Sequence, residues 1–406
     1  LKLEAEDYQG ATLSFDKAIK SDKKFIAAYK NRALARFAQE DYKGAQSDFD
    51  VVTSAYKKDP GAHKEVDGLV FYKSGLSKMQ QSKYGQASSD FDQALALDKD
   101  LSSVYYDRAI VKNNLKDLSG ANKDFGIAIE QHVNAIESFN YRGLNRTALK
   151  DYDGAIDDFT EALKLDSNFT EALYNRAEAK SKKGDLAGAE TDYTKALSKD
   201  LSGHQPSNKK YVKSSQDKKA DISSQLTKRS VVKYKMKKYN DAIKDCNEAI
   251  ATNPNNADAY YHRGNIHDQL QKTNLAIADY TKCIELAPTY YQAFYNRALV
   301  YHNNFEYDKA TVDYQKVISL NDTLIEAYHN LGVVKEQQKS FKEASTFYSK
   351  AIALKKSDDR IKKDSYLHRA ISRYAIGEKT GACEDAQKAI DLGAQDAKYY
   401  ANKYCE

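Results

Sequence analysis

Tryptophan is absent from these 406 residues, and cysteine occurs four times. Cys246, Cys283, Cys383 and Cys405 show no paired metal spacing, which sets aside the common cysteine-based zinc motifs. Cys246 and Cys283 fall in slots of an apolar pattern and read as buried thiols, and the four cysteines do not fix a compartment. No apolar run approaches the length of a membrane span. The chain has no glycine-rich phosphate loop, no paired-histidine zinc helix and no serine elbow. His262 and His267 share a helix, but an offset of five residues turns them away from one another. No catalytic, cofactor-binding or metal-binding residue is assigned, and no enzyme activity is expected of this chain.

What is present is a period. Alanine returns every thirty-four residues at Ala87, Ala121, Ala155 and Ala189, then at Ala242, Ala276, Ala310 and Ala344. Other slots repeat with it: Tyr29, Ala33, Tyr42, Ala45 and Phe49 in one stretch match Phe139, Gly143, Tyr152, Ala155 and Phe159 in another. Spacings of three, four and seven describe two amphipathic helices, A and B, joined by a short turn. A fixed period of this length means a stacked repeat array.

The pattern resembles the tetratricopeptide repeat. Ten full repeats, numbered 1 to 10 here, begin at Ile26, Gly68, Ser102, Ile136, Thr170, Ser223, Ala257, Tyr291, Ile325 and Lys363. Position eight is Gly or Ala in all but the sixth, which has Ser230, and position twenty is always Ala. The small residues are expected where helices A and B cross, positions eight and twenty facing each other. The resemblance implies an all-α, right-handed α-solenoid superhelix. Asp7, Tyr8, Ala11, Phe15 and Ala18 fit the helix B of a partial N-terminal repeat, with Leu1 in the middle of its helix A. No initiator methionine or signal peptide is present, so the chain reads as a fragment of something longer. Ala397 to Cys405 reads as a capping helix.

Position seven is Arg in eight repeats, and position twenty-three of the same repeats is Asp. The pairs are Arg32 and Asp48, Arg108 and Asp124, Arg142 and Asp158, and Arg176 and Asp192 in the first half. The second half has Arg229 and Asp245, Arg263 and Asp279, Arg297 and Asp313, and Arg369 and Asp385. In repeat 9 both members change together, to Leu331 and Phe347, while repeat 2 has Ser74 with Asp90. Eight identical pairs point to a structural, bidentate bridge between helices A and B rather than to catalysis.

Extra residues interrupt the phase before repeats 2, 6 and 10. The longest insertion divides the chain into an N-terminal sub-array, 1–203, a basic linker, 204–222, and a C-terminal sub-array, 223–406. From Lys209 to Lys238 there are eleven Lys or Arg residues against Asp217 and Asp221, whereas the whole chain carries only +5. Lys228, Lys235 and Lys237 are candidates for anion binding, although a solvated linker explains the same charge. No nucleic-acid motif accompanies the stretch, and no nucleic-acid partner is expected.

Helix A is expected to bury positions four, seven, eight and eleven, leaving two, five, nine and twelve as a second stripe. In the resembled family that stripe lines a concave groove. Position five carries Tyr72, Tyr106, Asn140, Tyr174, Tyr261, Tyr295 and His329, and position six adds Asn31, Asn175, Asn296 and Asn330. Tyrosine gives broad contact at low entropy cost, and Asn both donates and accepts toward an extended backbone. The Asn positions are similar to the asparagine ladder in the repeat region of O-GlcNAc transferases, with interruptions such as Lys73, Asp107 and His368. The dicarboxylate clamp of the family needs Lys at position five and Asn at position nine, a combination this chain lacks, since Lys30 is followed by Leu34. The expectation is a scaffold or adaptor that binds protein or peptide partners in this groove. Two alternatives stand beside it: a substrate-recruiting arm of a larger enzyme such as a glycosyltransferase, and self-association through an open N-terminal edge. The compartment is left open between cytoplasm and cell envelope.

Overall fold

The computed structural model describes residues 7–201, 215–354 and 359–405. Among them every regular element is an α-helix, and consecutive helices pair as A and B hairpins. Repeat 1 sets the template, with helix A at Ile26–Ala38 and helix B at Tyr42–Lys58. Tyr8–Ser21 precedes it and packs on its helix A, in the place of a preceding helix B. Ala397–Tyr404 follows helix B of repeat 10 and covers it. The position of Leu1 lies outside the described residues.

Contacts divide the chain into two units, Leu1–Asn208 and Lys209–Glu406, which hold repeats 1 to 5 and repeats 6 to 10. Helix A of repeat 6 runs Ser215–Lys235 and so takes in the last eight residues of the expected linker. Residues 202–214 lie outside the described residues. Helix A of repeat 10, Asp359–Ala375, likewise starts four residues early.

The ten position-twenty alanines, from Ala45 to Ala382, are fully buried. The glycines at position eight explain the spacing of the two helices, but their nearest neighbour is not position twenty. A Cβ on Gly75, Gly143, Gly264 or Gly332 would come within 2.5, 2.7, 2.8 or 2.6 Å of the ring at position twenty-four, which is Phe91, Phe159, Tyr280 or Tyr348. At these glycines position eight is small because a buried ring lies against it, whereas repeat 10 sets Ala370 opposite Ala386. Ser230 fits the same logic, since position twenty-four of repeat 6 is the small Cys246.

Two local devices shape the hairpins, the first in repeats 1, 3, 4 and 5 and the second in all ten. Asp41, Asp117, Asp151 and Asp185 accept hydrogen bonds from the backbone N–H of the glycine three residues on, capping the start of helix B. Position fifteen, in the A–B turn, has positive φ in all ten repeats, from 55° at Gln271 to 99° at Gly184. Only Gly184 and Gly377 are glycines there, so the turn holds residues as large as Phe305 in the left-handed region.

Candidate functional site

Each Arg of position seven forms a two-pronged bridge to its Asp. Arg297 Nε donates to Asp313 Oδ2 at 2.7 Å and its Nη2 to Oδ1 at 2.8 Å. The same fork holds Arg32 to Asp48, Arg108 to Asp124, Arg142 to Asp158 and Arg176 to Asp192. It also holds Arg229 to Asp245, Arg263 to Asp279 and Arg369 to Asp385. These aspartates are buried, and the guanidiniums are mostly covered. Arg263, Arg108 and Arg297 are pushed above the ordinary guanidinium range by their aspartates, against the opposing pull of burial. In repeat 9, Leu331 is buried with Phe347 against it, so an apolar contact occupies the place of the bridge.

A second cation at position eleven, one of the positions expected to be buried, completes most of these clamps. Arg36, Lys112, Arg146, Lys180, Lys233 and Arg373 each meet the same Asp oxygen that receives the arginine Nε, at 2.8 to 2.9 Å. In repeat 2, Lys78 and Ser74 both donate to Asp90. His267 takes the position in repeat 7, with Nδ1 at 2.9 Å from Asp279. Helix A must pack both on its own helix B and on the preceding repeat, so its positions three and ten are buried as well, as at Ala28 and Ala35. Two of the cations in the basic stretch, Arg229 and Lys233, are spent on Asp245, while Lys228, Lys235 and Lys237 stand exposed on or just after the same helix.

Successive A helices approach one another directly, as in repeats 6, 7 and 8, whereas among the described residues no successive B helices come as close. Within each unit the A helices therefore form the inner wall. At about 100° per residue, positions two, five, six, nine, twelve and thirteen share one face of helix A, spanning about 120°. Positions three, four, seven, eight, ten and eleven face the other way, into the packing.

On that inner wall the position-five side chain of one repeat meets position six of the next. Asn296 donates to the Tyr261 hydroxyl at 3.2 Å and to Asn265 Oδ1 at 2.8 Å. Asn330 donates to the Tyr295 hydroxyl at 3.0 Å, Asn175 to Asn140 at 2.9 Å, and Tyr72 to Asp107 at 2.5 Å. Tyr174 instead reaches Asp200 at 2.5 Å, and Tyr106 lies edge-on to Phe125 at 6.1 Å. The rings also stand on the buried aromatics of position twenty-four, Tyr261 on Tyr280 and Tyr295 on Tyr314. Tyrosine and asparagine are thus fixed by each other, which spacing within one repeat could not reveal.

Repeats 9 and 10 carry a polar cluster on this wall. His329 Nδ1 lies 2.9 Å from Ser365 Oγ, and its ring is 5.8 Å from that of His368. Tyr348 donates to Glu336 at 2.9 Å, and Glu336 also faces His368 at 3.3 Å. Burial, with His368 adding to it, holds His329 down to about 4. No group of three or more His, Cys, Asp or Glu side chains is placed to hold a metal ion among the described residues.

Cys383 and Cys405 form a disulfide with Cα atoms 4.9 Å apart, tying the capping helix to helix B of repeat 10. The two lie twenty-two positions apart, with no motif to announce the bond. Tyr404 of the cap stacks on Tyr374 at 4.1 Å. Cys246 and Cys283 are free, buried thiols, and burial pushes Cys246 up to about 11. No described helix is long and apolar enough to cross a membrane.

Family models of the tetratricopeptide repeat match residues 142–206, 257–290, 291–323 and 325–358, and a further TPR repeat model matches 232–271. No curated protein matches the chain. Among solved structures, the C-terminal part of a TPR repeat-containing protein from Cytophaga hutchinsonii is 20% identical, with a TM-score of 0.51. That match covers 64% of this chain and 98% of the other. A tetratricopeptide repeat protein from Parabacteroides merdae is 20% identical over 67% of this chain and all of its own, with a TM-score of 0.44. MamA is 27% identical over 43% of this chain and 92% of its own, with a TM-score of 0.37. With its helical hairpins, its small-residue and aromatic slots and these family matches, the chain is a tetratricopeptide repeat protein.

Proposed function

We propose that this chain is a non-catalytic interaction scaffold whose inner A-helix wall holds an extended peptide or protein segment. The observation that carries this reading is the row of position-five and position-six side chains, hydrogen-bonded from one repeat to the next. Such a row is ordered before any partner arrives, so binding need not freeze its side chains. Its aromatic rings and carboxamides suit a partner whose backbone offers both donors and acceptors. Tetratricopeptide repeats in general serve protein binding, which supports the same reading.

Removing Tyr261 is a poor test, because its ring packs on Tyr280, Tyr290 and His262 and its loss would disturb the core. A photo-crosslinking residue is better placed at the exposed inner-wall positions Gln269 and Asn303, and in separate variants at Lys282 and Lys316 on the B helices. In native lysate, protein adducts are expected from Gln269 and Asn303 and not from the B-helix sites. Adducts confined to Lys282 and Lys316 would overturn the reading.

A further inference from the structure

We propose that the capping helix is a redox-controlled cover on the C-terminal end of the inner wall: the Cys383 to Cys405 bond holds it shut, and a dithiol reductant releases it and frees the ring of Tyr374. This rests on the reading of the A-helix wall as the partner-binding face and adds its regulation.

Placement is the first observation. Ala397 lies thirty-four residues after Lys363, so the cap occupies the place of a further helix A. Position eight of that helix is Tyr404, where the ten full repeats carry Gly, Ala or Ser. Its ring turns onto the wall. Tyr404 stacks on Tyr374, the position-twelve residue of repeat 10, with ring centres 4.1 Å apart and planes at 21°. Lys403 Nζ lies over the same Tyr374 ring at 5.6 Å, and Tyr400 packs on Tyr404 at 5.6 Å. Burial pushes the Tyr404 hydroxyl up to about 12, with the neighbouring tyrosines and Glu336 adding to it. Glu336 is the position-twelve residue of repeat 9. Tyr404 therefore covers position twelve of repeat 10 and stands within electrostatic range of position twelve of repeat 9.

Fastening is the second observation. The cap is eight residues long, too short to hold a helix in water unaided. Asp396 at its start makes no side-chain capping bond. Besides Tyr404 the helix buries only Ala397 and Ala401, and two methyl groups bring little apolar area. The bond between half-buried Cys383 and exposed Cys405 supplies the remaining hold. By closing the chain between them, it removes much of the freedom the cap would gain on leaving.

Release proceeds by thiol-disulfide exchange. Because Cys405 is exposed, one thiolate of a protein dithiol can attack its Sγ, which breaks the bond and leaves Cys383 as a thiolate that takes up a proton. The second thiol of the reductant then displaces Cys405 from the mixed disulfide. The chain ends with two thiols, and the reductant is oxidised to its own disulfide. Cys246 and Cys283 are buried and already free, so the reductant acts on one bond.

The test uses the full chain, with dithiothreitol as the dithiol. Since the sequence has no tryptophan, Tyr404→Trp and Tyr374→Trp each place a single fluorophore at the contact. Dithiothreitol is expected to move the emission of both variants to longer wavelength and to raise acrylamide quenching severalfold. In the unsubstituted chain it is expected to lower the hydrogen-exchange protection of residues 397–404 at least about tenfold, with repeats 7 and 8 unchanged. Cys405→Ser is expected to reproduce the reduced state without reductant, after which dithiothreitol changes nothing further. Protection of residues 397–404 that survives dithiothreitol would overturn the proposal, whatever the tryptophan variants show. Loss of protection with unchanged quenching in Tyr374→Trp also overturns it, since the cap would then leave without freeing the wall. These readouts need no partner, so they stand or fall apart from the crosslinking at Gln269 and Asn303.

Discussion

Gly332 lies against the ring of Tyr348 so closely that a Cβ would meet Cε1 at 2.6 Å. Tyr348 is fully buried and its hydroxyl donates to Glu336, so the ring has no room to retreat. Gly332→Leu is expected to destabilise the second unit by about 1–3 kcal/mol or more, through overpacking. Ser230→Ala, opposite the smaller Cys246, is expected to change stability by less than about 1 kcal/mol. Urea melts of the two variants measure the contrast.

Repeat 9 shows how the clamp is replaced. Arg297→Leu strands the buried Asp313, and a loss of about 3–5 kcal/mol is expected. Repeat 8 has Tyr301 rather than a second cation at position eleven, so no neighbour in the clamp takes over. Adding Asp313→Phe recreates the Leu331 and Phe347 arrangement and is expected to recover most of that loss. A double-mutant cycle in denaturant measures the coupling, and additive losses would show that the pair does not act as a unit.

His329 ties stability to acid. Its folded form is held neutral, with a value of about 4 against 6.5 for the free side chain, by burial and by His368, against the opposing influence of Asp364 and Glu336. The unfolded chain takes up the proton first as pH falls, so this contribution is complete above about pH 6.5. It declines toward pH 4, by an amount on the order of 1–3 kcal/mol. His329→Tyr, which restores the residue type of Tyr295 one repeat earlier, is expected to flatten the fall in melting temperature across that range. An unchanged slope would assign the acid sensitivity to other groups.

The Cys383 to Cys405 bond fastens the cap. Cys405→Ser is expected to destabilise the C-terminal end by about 3 kcal/mol, from the chain entropy of a loop of this length. Hydrogen exchange localises the effect: residues 397–405 and helix B of repeat 10 should lose protection, and repeats 7 and 8 should not, because a repeat contacts only its neighbours.

The period, the hairpins, the position-seven clamps and the cap are contained in the order of residues, because each depends on short spacings that local geometry converts directly into faces of a helix. Arg297 and Asp313 lie sixteen residues apart within one hairpin, and a repeating pair at that distance has one structural meaning. The position-eleven cations were legible only in part, since Arg, Lys, His and Tyr alternate there and their common partner becomes visible once helix A is docked. Which side chains of the inner wall hold each other was decided by stacking. Asn296 meets Tyr261 across thirty-five residues, a distance set by how one hairpin leans on the next. The left-handed turn at Lys150 or Phe305 and the bond between Cys383 and Cys405 belong to the same class. Each is imposed by the closure of a hairpin or the seating of the last helix, and neither residue type declares it.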